Sequence, residues 1–164
     1  MSADDLEARV RRLEDEAGIR RLLMTYGPAA DAGMAELAGG LWAEDGEYDW
    51  DANAEAHVGS AVVAEMLRSD QHRGLMAAGV AHFGGPVLVQ VDGDTAVALN
   101  YSLIMRREDK RHYLWRVSAV RWDVERIDGA WRVRRRTNRL LDASGEGSEL
   151  FGRTLDELFA EETS

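Results

Sequence analysis

The chain contains no cysteine among its 164 residues, which excludes disulfides, thiolate nucleophiles and zinc-thiolate sites and fits a reducing compartment. Nor does it carry an excess of positive charge. Its 20 lysines and arginines face 30 aspartates and glutamates, for a formal net charge of -10 and a pI near 4.9. Such a chain repels phosphate backbones and anionic lipid, so neither a nucleic-acid nor a membrane-surface role is expected. No apolar run approaches the roughly 20 residues of a bilayer span. The start, Met1-Ser-Ala-Asp-Asp5, is acidic and lacks the apolar core of a secretion signal, so a cytoplasmic protein is expected. Internal repeats are missing too. The length suits one hydrophobic core, and we assign a single domain over 1–164 with its core at about 6–140 and a tail at 141–164.

What is present falls into two halves. Ser2-Ala-Asp-Asp5 reads as a capping box, and Leu6, Val10, Leu13 and Ala17 follow at alternating four- and three-residue spacing, the pattern of a long amphipathic helix. Past Gly18 the apolar set shifts to Ile19, Leu22, Leu23 and Tyr26, which implies a change of buried face, and Pro28 is expected to kink or end the helix. Met34 to Trp42 and Val62 to Leu67 read as two shorter helices. From His82 onward the period becomes two. Val87, Val89 and Val91 run into Asp92-Gly93, a hairpin signal ahead of a strand from Thr95 to Arg106. A long strand from Arg111 to Arg126 turns at Asp128-Gly129 into Trp131, Val133 and Arg135. Beyond a loop at 142–148, Leu155, Leu158 and Phe159 suggest a short terminal helix covering a pocket mouth or a neighbouring subunit. Helices followed by a bent antiparallel meander make an α+β cone, whose concave face leaves an apolar cavity at one end.

Two residues stand out chemically. His82 sits at the mouth of a strand, and Asp31 follows the first helix. A carboxylate that accepts from one ring nitrogen fixes the tautomer and raises the basicity of the other, which makes histidine a general base. Each residue also has an ordinary reading, Asp31 as a helix cap and His82 as a core histidine bonded to a carbonyl. His57, His72 and His112 lie in polar surroundings at irregular spacing, so they read as surface residues and no metal site is expected. In Glu47-Tyr-Asp-Trp50, strand alternation places Glu47 and Asp49 on a solvated face opposite Tyr48 and Trp50. Alternation likewise splits the run Arg132-Val-Arg-Arg-Arg136 between two faces, which suits a sheet surface or subunit contact better than nucleic acid. Trp115, Trp122 and Trp131 read as core or interface, with Trp122 a candidate to touch a substrate in the cavity.

Leu6-Glu-Ala-Arg, Ile19 to Tyr26, Asp31, Tyr48, His82-Phe-Gly-Gly and Ile127-Asp-Gly-Ala-Trp131, in that order, resemble the SnoaL-like, nuclear-transport-factor-two-like superfamily. Within it the chain is most similar to the group of scytalone dehydratase, bile-acid dehydratase and hexachlorocyclohexane dehydrochlorinase, over about Leu6 to Arg139. The resemblance implies the cystatin-like α+β barrel fold and a catalytic Asp31–His82 dyad. It also implies Tyr26 and Tyr48 as hydrogen-bond donors, Arg139 as a substrate-binding arginine and a homodimer or homotrimer. The middle strand, 100–106, offers no second histidine, unlike scytalone dehydratase, which argues against scytalone as substrate.

A neutral His82 backed by Asp31 suits β-elimination without a cofactor, so a dehydratase of a hydroxylated cyclic or polycyclic ketone is the first expectation. Cone folds also host polyketide cyclases, ketosteroid-type isomerases and non-catalytic domains that bind a small apolar ligand or mediate assembly. The sequence leaves these alternatives open.

Overall fold

A computed structural model describes residues 2–52 and 54–160; the last four residues of the expected tail lie outside them. Helix α1 (Ala3–Asp31) opens on the expected capping box, with Asp5 N–H donating to Ser2 Oγ (3.1 Å) and Ser2 N–H to Asp5 Oδ2 (2.9 Å). It runs through Pro28 and ends only at Asp31. Burial begins at Ile19, whereas Leu6, Val10 and Leu13 are exposed, so the first apolar stripe belongs to an arm without sheet beneath it.

Helix α2 (Ala35–Gly39) is shorter than expected, because Trp42 already starts strand β1 (Trp42–Asp49). After the two-residue β2 (His57–Val58) come α3 (Ser60–Arg68) and α4 (Asp70–Ala78), the latter capped by Ser69 and unforeseen from apolar spacing. The meander follows as β3 (Val80–Gly84), β4 (Leu88–Asp92), β5 (Thr95–Glu108), β6 (Arg111–Ile127) and β7 (Ala130–Leu140). Two-residue turns at Asp109-Lys110 and Asp128-Gly129 carry positive φ throughout, the geometry that matches strand twist in tight hairpins.

The sheet order is β2-β1-β7-β6-β5-β3, with β4 also paired to β5. All pairs are antiparallel except β1 with β7. The sheet stays open, with β2 and β3 at its edges, and register shifts in β5–β6 and β6–β7 mark bulges of the kind that bend strands. Ile19, Leu23, Val63, Leu67, Val120 and Val133 form the core between α1–α3 and the concave face. The terminal helix α5 (Glu146–Phe159) covers the other face, pairing Glu157 with Arg121 and packing Phe151 on Tyr101. Of the two places expected for it, a pocket mouth or a neighbouring subunit, it does not occupy the first at His82, where no α5 residue lines the cavity.

Candidate active site

Strand β3 is an edge strand, so the amide of His82, which faces away from β5, needs a partner outside the ladder. Asp31, at the end of α1, supplies it. Its Oδ2 accepts from His82 N–H at 2.8 Å, while Oδ1 lies 2.6 Å from Nδ1 of the same residue. Gly27 permits this approach, because a Cβ there would meet the His82 carbonyl oxygen at 2.2 Å. With Nδ1–H donating to the carboxylate, the hydrogen-bond network assigns His82 the tautomer whose Nε2 keeps its lone pair.

His82 borders a cleft of two lobes. One, lined by Met24, Phe83, Asn100 and Trp122, spans about 540 Å³ with its mouth. The other, about 870 Å³ with its mouth, is lined by Tyr48, Trp50, Met66, His72 and Trp115. Tyr26, His82, Ser102 and Arg136 belong to both. Burial, followed by the neighbouring Tyr48, pushes the Tyr26 hydroxyl well above the ordinary phenol range against the opposing charge of Arg136. Tyr26 is therefore a protonated donor across the working pH range. Trp122 is buried and donates from Nε1 to Asn100 Oδ1 at 2.9 Å.

Three sequence readings need correction. Arg139 does not face the cleft. Tyr101, Ala119 and Arg139 form one cross-strand row, and Tyr101 packs on α5, so the row faces that helix. Arg139 there holds both oxygens of Asp49 at 2.7 and 2.8 Å. Asp49 in turn is buried rather than solvated. Burial would raise its carboxyl, but hydrogen bonds from Arg139 and Arg135 outweigh that and hold it below the usual carboxylate range. His72 is not a surface residue either: it is buried, its Nε2 lies 3.0 Å from the carbonyl of Ala30 beside Asp31, and its ring stands 5.8 Å from that of His82.

The arginine in the cleft is Arg136. Between Asp123 and Val124 the register with β7 slips by one residue, leaving Arg134 as the extra residue. The slip returns Arg136 to the face of Val133, where alternation alone would have turned it away. Residue spacing carries no signal of a bulge. His72 was more accessible to reasoning, since Ser69 before Asp-Gln-His72 has the form of a helix N-cap. Among the described residues no three or more His, Asp or Glu gather in a way that could hold a metal ion, and no helix is long and apolar enough to cross a membrane.

Comparison with known proteins agrees with this architecture. No functionally curated protein matches the chain. The crystal structure of an NTF2-like protein with a cystatin-like fold from Novosphingobium aromaticivorans is 44% identical, covers 91% of this chain and 96% of its own, and superposes with a TM-score of 0.88. A protein from the same organism, named provisionally as a scytalone dehydratase, shares the fold at 19% identity (TM-score 0.65, 79% of this chain and 86% of its own). So does a Catenulispora acidiphila protein solved in complex with S-DNPA, at 15% identity (TM-score 0.67, 78% and 94%). Residues 11–137 match the SnoaL-like domain, and the chain belongs to that family.

Proposed function

We propose that the protein is a cofactor-independent lyase that dehydrates a hydroxylated cyclic or polycyclic ketone. The observation that carries this reading is the 2.6 Å contact between His82 Nδ1 and Asp31 in the wall of an aromatic cleft. Nε2 of His82 takes the proton α to the ketone, and Asp31 stabilises the imidazolium that forms. The Tyr26 hydroxyl donates to the enolate oxygen. As the enolate collapses, the C–O bond to the β-hydroxyl breaks, and that oxygen receives the proton from His82. The products are the enone and water, and the histidine ends neutral. Tyr48 and Trp122 complete the walls that exclude water, in a cytoplasmic homo-oligomer whose size light scattering would establish.

The test is a panel of β-hydroxy cyclic ketones, followed by the ultraviolet absorbance of the conjugated enone. We expect turnover that falls about 100-fold or more in His82→Gln and Asp31→Asn, with ligand-induced thermal stabilisation retained. Turnover unchanged in His82→Gln would overturn the mechanism. Ligand stabilisation without turnover across the panel would favour a binding domain.

A further inference from the structure

Arg136 is 4% exposed, and among the described residues it has no carboxylate partner. Burial is what sets it apart, since carboxylates are not scarce in a chain where they outnumber cationic side chains 30 to 20. Its neighbours in the same run are neutralised, Arg134 by Asp45 and Arg135 by Glu47 and Asp49. Around Arg136 stand three aromatic rings instead. Tyr48 and Trp122 are its cross-strand neighbours on either side, and Tyr26 reaches it from α1. The guanidinium carbon lies 4.6 Å from the Tyr26 ring centre and 4.7 Å from those of Tyr48 and Trp122. Nε and Nη1 are buried without a hydrogen-bond acceptor. Ring faces attract a cation, but they do not neutralise it, and a buried charge without a counter-ion is unstable in isolation. The same residue lines both lobes of the cleft together with His82.

We propose that Arg136 is the receptor for an anionic oxygen of the ligand, so that the cleft takes a flat cyclic molecule carrying a carboxylate or an acidic enol or phenol. The inference rests on reading this cleft as the substrate site, but not on the dehydration itself. The aromatic cage holds the guanidinium in place, and the ligand supplies the missing negative charge. Binding of the anion thereby orients the ring system against Nε2 of His82. A neutral ligand of the same shape leaves the charge uncompensated and binds less well.

The test measures binding of 2-naphthoate, 2-naphthamide and 2-naphthol to the intact protein at pH 7, by tryptophan fluorescence and by the NMR signal of the Arg136 Nε–H. We expect naphthoate to bind at least about 10-fold more tightly than the amide and to shift the Nε–H signal. In Arg136→Met the preference disappears, and the melting temperature holds or rises because the orphan charge is gone. Equal affinity of wild type for acid and amide, or a preference that survives in Arg136→Met, would overturn the proposal. Should Arg136→Met fail to fold, the wild-type comparison decides alone. Naphthol separates the two sources of the anion. A red-shifted absorbance on binding means the site favours an oxyanion formed there, whereas naphthoate binding beside a neutral or unbound naphthol means a permanent carboxylate. Neither readout involves turnover. Failure of the dehydration test leaves the charge preference standing, and loss of the preference leaves the His82 chemistry standing.

Discussion

A methyl group at Gly27 would lie 2.2 Å from the carbonyl oxygen of His82, well inside any tolerable contact. Helix α1 therefore reaches the edge strand only because residue 27 has no side chain, and that approach delivers Asp31 to His82. In Gly27→Ala the helix must lift from β3. We expect a loss of about 2 kcal/mol in urea unfolding and about a 100-fold fall in turnover, because a shift near 1 Å at the reacting groups is enough. A variant with wild-type stability and an intact Asp31–His82 hydrogen bond by NMR would contradict this.

His72 ties α4 to the last turn of α1 through the Ala30 carbonyl and stacks beside His82. We expect it to act on the site through its neighbours, as a positioning residue. His72→Ala should cost about 1 to 2 kcal/mol of stability and lower kcat more than it raises KM. A change confined to KM would place His72 against the substrate instead.

Asp49 makes the stability of the fold sensitive to acid. Its carboxyl is held below the usual range by Arg139 and Arg135 in spite of burial, so it binds its proton less readily folded than unfolded. The stabilisation is fully present above the unfolded value of about 3.9 and is lost as pH falls through the lower folded value. We expect Asp49→Asn to lose about 2 to 3 kcal/mol at pH 7, since it leaves Arg139 without its counter-charge, and to show a shallower decline in stability below pH 4 than wild type. Parallel acid-unfolding curves for the two proteins would refute the assignment.

How far the site was legible in the sequence depended on how local its causes are. Asp92-Gly93 and Asp128-Gly129 announce turns within a few residues, and both hairpins form there. The SnoaL-like pattern pointed to Asp31 and His82 although 51 residues separate them. Trp42 was misplaced because an apolar run leaving a short helix looks the same whether it continues or becomes a buried strand. Arg139 was expected to bind substrate from the resemblance alone, and the single extra residue at Arg134, which turns Arg136 rather than Arg139 toward the cleft, has no signature in the sequence. Asp49 was assigned to solvent because nothing in its own strand shows that α5 folds over that face. These errors share one origin, since each depends on contacts between segments distant in the chain.

The most direct test of the Asp31–His82 assignment is the nitrogen-15 NMR spectrum of the imidazoles at neutral pH, in wild type and in Asp31→Asn, with His82→Gln identifying the His82 signals. We expect His82 to carry its proton on Nδ1, with a strongly deshielded Nδ1–H that moves upfield in Asp31→Asn, and a bare Nε2 facing the cleft. A proton on Nε2, or a His82 spectrum indifferent to Asp31→Asn, would contradict the pairing on which the proposed chemistry depends.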